Sequence, residues 1–512
     1  MVDPMQFRVA RLDARRIPAP WSVVAAAVVL AACAGAPAYQ SPDVRIAPAY
    51  DAVVPAAARR GGADSGVSPP TAGGAPAAPV LPRSAEFSSA ASPAPFWREL
   101  GDSTLAQLIE EALRAGTDVR AAEARLTGAR ASRRVSALDR GPIITATGSA
   151  LRQRQSIAQL PGLTSQLPQR DLWDVGFDAS WEIDIFGRLG RTANAYGALV
   201  SSAAHGLEDV QVSLAAEVAR TYFELRGAER QLAVARRNAE NQRRTVALTE
   251  DRLAAGRGTA FDIERARSVL QLTLAAVPEI ESRIAADRYR VALLLGRAPD
   301  AVPPALLAAG ELPDLPDTVR VGSPEQLVRR RPDVLAAERQ AAAGTMFVGA
   351  ARAEYLPRLT LAASTGYSAT TFDSLGRRGT SRIVAGPVLT WPLFDLGRVK
   401  ARVDIAEARQ DEARAQYTST VLRAVGEAET ALVSYDRAHA RLGILNEAVR
   451  ASTRAAELAQ QRFEAGLTDF LQVLDAQRTL LEAENQLAQA HTAAATALVA
   501  VYKAVGGTWP VR

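Results

Sequence analysis

The chain has 512 residues, enough for several ordinary domains, with aromatics at only 5% and alanine throughout. That composition favours long, closely packed helices over an aromatic-rich globular core. Net charge is +5 with acids and bases interspersed, so there is no basic stripe and no nucleic-acid partner is expected.

The first element is a targeting segment over residues 1–32. Arg8, Arg11, Arg15 and Arg16 precede an apolar run from Trp21 through Ala32, too short and too early for a spanning helix. These residues carry four arginines and two aspartates, so their removal lowers the net charge to +3. Leu30-Ala31-Ala32-Cys33 then resembles the bacterial lipobox, in which the cysteine becomes the acylated first residue. Cys33 is the single cysteine, so no disulfide forms within the chain. Acyl chains anchor by burying CH₂ groups at about 0.8 kcal/mol each. Ala34 stands where an aspartate would favour inner-membrane retention in lipoproteins, which leans towards the outer membrane. Residues 33–95 are rich in Pro, Ala, Gly and Ser. They read as a tether that buries too little apolar area to fold alone.

Order resumes at Phe96-Trp97, and the chain then repeats itself once: residues 96–305, a linker over 306–322, residues 323–507, and a tail over 508–512. Asp118-Val119-Arg120-Ala121-Ala122-Glu123 matches Asp333-Val334-Leu335-Ala336-Ala337-Glu338, and Pro142 matches Pro357 at the same offset of 215. Trp181 to Arg188 matches Trp391 to Arg398, and Arg252–Gly256 matches Arg462–Gly466, at an offset of 210. Each copy predicts a helix, two strands, a long helix, a tight turn and a shorter helix. Trp173, Val175, Phe177, Ala179, Trp181 and Ile183 alternate with Asp174, Gly176, Asp178, Ser180, Glu182 and Asp184, a period of 2. An acid face opposite an aromatic face suits lipid outside and water inside a barrel, with Asp174, Asp178, Glu182 and Asp184 lining the lumen. Strand pairs flanking the loops 152–171 and 370–382 give four strands per chain. Four strands cannot close, and open edges are not tolerated in lipid. Three chains would give twelve strands and leave room for water.

The long helices carry a seam. Val421, Ala424, Ala428, Ala431, Tyr435, Ala438, Leu442, Leu445, Val449, Ser452, Ala456, Ala459 and Phe463 recur at spacings of three and four, as in a coiled coil. No proline falls between Gly397 and Gly466, and a helix of that length spans roughly 100 Å at 1.5 Å per residue. The first copy has the same seam with Gln211 and Gln242 as polar exceptions. Gly256-Arg257-Gly258-Thr259 and Gly466-Leu467-Thr468 break these helices and turn the chain back.

From Phe96 onward the chain resembles the outer-membrane efflux channel family, TolC-like, in its lipoprotein branch. The resemblance rests on Phe96-Trp97, Leu327-Val328-Arg329-Arg330-Arg331-Pro332-Asp333-Val334, the two Phe/Leu-Gly-Arg corners after the strands, and Val473-Leu474-Asp475-Ala476-Gln477-Arg478. It implies a mixed α and β membrane protein. Three chains would form a 12-stranded transmembrane β-barrel continuous with a long periplasmic α-helical coiled-coil barrel. It implies a homotrimer in the outer membrane of a Gram-negative bacterium that docks through a periplasmic adaptor to an inner-membrane pump and exports small molecules such as drugs or metals. The turns at Gly256, Arg257, Gly258, Thr259, Gly466, Leu467 and Thr468 would be the adaptor-docking tips. Asp475 would form the constriction as a ring of three, single because Gln472, one turn earlier, is not acidic. Two other readings stand: the duct of a type I protein secretion system, and a non-conducting periplasmic tether, which would need neither alternating strands nor two copies.

No enzyme chemistry is visible. His205, His439 and His491 stand alone on helices, without metal-ligand spacing. Lys400 and Lys503 are each followed by Ala, which excludes a Gly-Lys-Ser/Thr phosphate loop. No Gly-x-Ser-x-Gly elbow exists. No metal and no cofactor beyond the lipid on Cys33 is expected.

Overall fold

The structure is a computed structural model that describes residues 39–50, 85–88, 90, 95–154, 169–256, 258–316 and 318–507. Cys33, Arg257, the targeting segment and the C-terminal tail lie outside the described residues. In chain order the first half runs β1 (Glu86–Ser88), α1 (Phe96–Glu99), α2 (Ser103–Ala115), α3 (Thr117–Leu138), β2 (Ile143–Gln153), β3 (Arg170–Ile183), α4 (Arg188–Ala254) and α5 (Ala260–Leu294). The second runs β4 (Thr318–Arg320), α6 (Pro324–Arg330), α7 (Pro332–Arg352), β5 (Arg358–Ala369), β6 (Ser381–Thr390), α8 (Leu396–Glu464) and α9 (Phe470–Ala504). Helices α4 and α8 have 67 and 69 residues, and their return helices α5 and α9 have 35 each. No described helix is long and apolar enough to cross a membrane.

The chain divides into two units. One comprises Met1–Ser41, Arg130–Leu199 and Ala341–Ala413 and holds a four-stranded antiparallel sheet in the order β2-β3-β5-β6. Cross-strand partners share a face because side chains alternate. Asp174 stands opposite Ser149 and Ser368, Phe177 opposite Ala146 and Thr365, and Trp181 opposite Leu361. One face is therefore polar and the other apolar. Gly176 and Gly366 meet at the centre, where a Cβ on either would collide with the opposite backbone. Strands β2 and β6 each have one partner among the described residues, so both edges of the sheet are open.

The other unit comprises Pro42–Ala129, Val200–Gln340 and Arg414–Arg512 and is mostly helical. Its core gathers Phe96, Trp97, Leu105, Ile109, Phe223, Leu225, Tyr435, Leu498 and Tyr502. Phe96 stacks on Tyr502 with centroids 5.0 Å apart. Burial of side chains of this size stabilises by roughly 1.5–3 kcal/mol each. The seam of α8 is buried at Val421, Ala424, Ala428, Ala431 and Tyr435 and again at Ala456 and Phe463, while Ala438, Leu442, Leu445 and Val449 are only half-buried in the single chain.

Two pieces of the segment read as a tether are docked on this unit. Tyr50 is 1% exposed. Strand β1 pairs in parallel with β4, which lies in the stretch read as a linker, and Phe87 meets the Tyr435 ring edge-on at 6.2 Å. The amide of Ala85 donates to Asp436 Oδ1 at 3.3 Å. Average composition hides these contacts, because two aromatic side chains in the right places are enough to hold short stretches of an otherwise small and polar segment.

Candidate conduit wall and docking tips

The acid face of β3 is not a row of free carboxylates. Asp174 accepts two hydrogen bonds from Arg382 of β6, from Nε at 2.9 Å and Nη2 at 2.7 Å. Arg382 also donates to Ser364. Asp178 accepts from the Thr147 hydroxyl at 3.0 Å. Glu182 is held by Arg188, through Nη2 at 2.7 Å and Nε at 3.1 Å. Asp184 stands one residue past the end of β3, and its carboxylate accepts from the amides of Leu189 and Gly190 at 3.1 and 2.6 Å. The strand read to Asp184 thus ends at Ile183, and Asp184 caps the start of α4, where orphan amides and the helix dipole favour an anion. The four acids share their patch with two guanidiniums, which halves its formal charge.

The opposite face is apolar and open. Val175, Phe177, Trp181, Leu361, Tyr367 and Ile383 are between 39% and 78% exposed. Aromatic side chains mark both ends of this face. At the hairpin end Trp173 meets Phe372 at 5.2 Å. At the other end the indoles of Trp181 and Trp391 donate to the carbonyls of Arg140 and Tyr355, at 2.8 and 3.0 Å. Burial of exposed apolar area of this extent on another surface is the usual reading of such a face.

The turns of the helical unit are built as sharp reversals. Gly256 and Gly466 adopt φ of +71° and +75°, a conformation that favours glycine. After the first, Thr259 caps α5 in a reciprocal capping box with Asp262. After the second, Asp469 caps α9 by accepting from the Gln472 amide at 3.2 Å. Gln472 itself accepts from the Thr468 hydroxyl at 2.5 Å. Leu467 projects 70% exposed. Beneath the turns Val246, Ala266, Phe463, Phe470, Val473 and Leu474 form a separate apolar cluster. Arg252 of α4 lies over the Phe463 ring at 4.0 Å and donates to the Phe463 carbonyl at 3.3 Å; such a stack contributes about 0.5–1 kcal/mol at exposed sites. Asp475, two residues after buried Val473, is exposed, and among the described residues its carboxylate makes no hydrogen bond or ion pair.

The motif Leu327 to Val334 has a structural role. Arg331 is buried and donates to the carboxylates of Asp333 and Glu427 and to the carbonyls of Ala424 and Ala504. It thereby joins α7, α8 and the end of α9. The planar guanidinium fork suits this multiple acceptor geometry. No described group of three His, Cys, Asp or Glu side chains could hold a metal ion.

The sequence profile described as "Outer membrane efflux protein" matches residues 108–297 and 323–507. The chain belongs to this family. Among its relatives, outer membrane protein OprJ of Pseudomonas aeruginosa is 31% identical over 490 residues, 95% of either chain. The pyoverdine export outer membrane protein OpmQ of Pseudomonas putida is 31% identical over 446 residues, 86% of this chain and 94% of that one. The solved outer-membrane channel OprN superposes with a TM-score of 0.80 at 35% identity, covering 92% of this chain and 98% of its own. An outer membrane efflux protein is a channel component of the outer membrane of Gram-negative bacteria, and the family is not one of enzymes. In this member the two matched segments coincide with the two halves of the chain that each run from paired helices through two strands to a long hairpin.

Sequence reasoning missed the partners rather than the surfaces. Arg188 and Arg252 are marked by the repeat, at the Phe-Gly-Arg corner and before the first tight turn, but their partners are not, and Arg382 is one arginine among many. Arg382 could be found only by laying β6 against β3 in register.

Proposed function

We propose that the chain is one protomer of a homotrimeric exit duct in the outer membrane, serving a tripartite pump that expels small molecules. The observation that carries this reading is the sheet: four antiparallel strands with one apolar exposed face, one polar face and two open edges. Open edges in lipid must pair, and three copies pairing β6 with β2 of the next make a closed wall of twelve strands wide enough for water. Asp174, Asp178, Glu182 and Asp184 then belong to the polar lumen side. The half-buried stretch of the α8 seam is covered by helices of a neighbouring protomer. The turns at Gly256–Thr259 and Gly466–Thr468 meet a periplasmic adaptor, which links the duct to an inner-membrane pump. Cys33 carries lipid. Relatives named for pyoverdine export and toluene efflux favour small molecules over secreted proteins.

Single-channel recording of the purified full chain in planar bilayers, with cross-linking to count protomers, tests the duct. Expected are discrete conductance steps from a species cross-linked as three. A monomer without conductance would overturn the reading in favour of a tether. Labelling with a radioactive fatty acid tests the anchor: Cys33→Ala should abolish incorporation, and undiminished label would place the lipid on another residue.

A further inference from the structure

The polar face of the sheet does not stay polar to its edge. In register across the strands it carries Thr145, Asp178, Ser364 and Val384 in one row, Ile143, Ser180, Ala362 and Gly386 in the next, and Glu182, Thr360 and Val388 in a third. Strand β6 is thus apolar on both faces. Val384 and Val388 share a face with Asp178, while Ile383 and Leu389 point the other way, and the two valines are 68% and 49% exposed. The repeat makes the exchange plain. At the offset of 210, Val384, Gly386 and Val388 occupy the places of Asp174, Gly176 and Asp178. One copy of the duplicated strand presents acids to this face and the other presents valines. A water-filled barrel calls for polar lumen positions and gives no reason for the second.

Asp178 is the acid that faces this track uncompensated. Asp174, Glu182 and Asp184 are committed to Arg382, to Arg188 and to the first amides of α4. Asp178 accepts only from hydroxyls, those of Thr147 at 3.0 Å and of Ser364, and makes no ion pair among the described residues. Arg382, whose charge also reaches Asp178, is held by Asp174. Between the carboxylate and the valines the floor is low, because Gly366, Ala362 and Gly386 on the intervening positions of this face have little or no side chain. Val384 stands two strands from Asp178, about 10 Å, and Val388 lies about 13 Å further along β6. The result is a shallow trough with a fixed negative charge on one side and an apolar strip on the other.

We infer that this trough binds organic cations with an apolar body, the positive centre at Asp178 and the body on Val384 and Val388. The inference rests on the proposed duct only in making this face the wall of a water-filled lumen. All the residues of the trough belong to one chain, so each protomer carries a complete one. A neighbouring strand that pairs with the edge of β6 does so in the plane of the sheet and leaves this face open. A small inorganic cation gains from Asp178 alone, and a neutral apolar solute from the valines alone. Only a molecule with both features gains from both. Carboxylate and valines stand in an open wall, so the site is weak, and a conducting path requires sites that its cargo can leave.

Single-channel recording of the full chain with tetrabutylammonium and tetramethylammonium tests this, since the two carry the same charge and differ in their apolar arms. Expected is block of the current by tetrabutylammonium at a concentration about tenfold lower. Asp178→Asn should raise the half-blocking concentration of both cations about fivefold, as the loss of one charge contact in water implies. Val384→Ser/Val388→Ser should raise that of tetrabutylammonium about fivefold and leave that of tetramethylammonium as it was. Equal potency of the two cations, or undiminished block in either variant, would overturn the site. Block lost in Asp475→Ala and kept in Asp178→Asn would overturn it in favour of the helical turns. Fluorescence anisotropy of ethidium, an aromatic cation, added to the full chain in mild detergent needs no current. Ethidium bound by the unaltered chain and released by Asp178→Asn, in a protein that passes no current, would count against the duct and leave the trough standing. Current steps with neither block nor bound ethidium would sink the trough and leave the duct.

Discussion

Arg382 grips Asp174 with two hydrogen bonds, at 2.9 and 2.7 Å, across β5 and from 208 residues further along the chain. The pair couples the strands of the two halves and decides how negative the polar face is. Arg382→Gln removes one positive charge per protomer and leaves Asp174 unneutralised. Cation permeability relative to anions should rise by roughly a factor of two, since local field scales with uncompensated charge. Reversal potentials in a salt gradient measure it, and an unchanged ratio would show that ions do not pass this face.

Asp475 is exposed near the second turn with its carboxylate uncommitted among the described residues. The dipole of α9 explains little of its presence, since that effect fades within the first turn. Three such acids brought together would repel one another and favour a bridging cation. Asp475→Ala should increase resting conductance several-fold and blunt block by divalent cations added on the periplasmic side. Conductance and block both matching the unaltered chain would make Asp475 a surface acid.

The tips are best probed beside the glycines rather than at them. Any side chain at Gly466, with φ of +75°, strains the turn by about 1 kcal/mol and confounds docking with folding. Leu467 is 70% exposed, so Leu467→Glu should shift stability by no more than about 0.5 kcal/mol. Adaptor recovered with the full chain should nevertheless fall about tenfold, as for an exposed apolar anchor in an interface. Recovery at the original level would move the docking surface away from this turn.

Asp287 on α5 is pushed up to about 6, first by burial and then by the charge of Glu224, against the pull of Arg290, Arg283 and Arg220. A carboxyl raised in the folded state binds more protons there than in the unfolded chain between about pH 4 and 6. Stability therefore falls as pH rises through that window and stays lower above it. Asp287→Asn should raise the melting temperature at pH 7 by a few degrees and leave it unchanged below pH 4. Equal gains at both pH values would assign the effect to packing.

What the sequence revealed and what it hid divide along physical lines. The alternation in β3 is legible because a sheet with two different faces forces period 2 on every residue from Trp173 to Ile183. The turns at Gly256 and Gly466 are legible because only glycine takes that backbone angle cheaply. Asp184 was read one residue too far, since alternation alone does not distinguish a strand's last acid from a helix's first cap; Gly187, with φ of +71°, marks the break between them. The contacts of Arg382 with Asp174 and of Arg331 with Glu427 join residues 208 and 96 positions apart, and only a known register or helix packing brings such partners together. Tyr50 and Phe87 were lost in the average of a segment whose composition is otherwise that of a linker.

The indoles of Trp181 and Trp391 have already given their N–H groups to the carbonyls of Arg140 and Tyr355. Tryptophan at a membrane boundary ordinarily spends that donor on headgroups and water and can adjust its depth as it does so. In the proposed duct the height of the apolar belt would therefore be fixed by the polypeptide. Bilayer thickness would then become the dependent variable: acyl chains longer or shorter than the belt would stretch or compress where they touch it. A cell that remodelled its lipids would change the elastic strain around such a duct and leave its depth as it was.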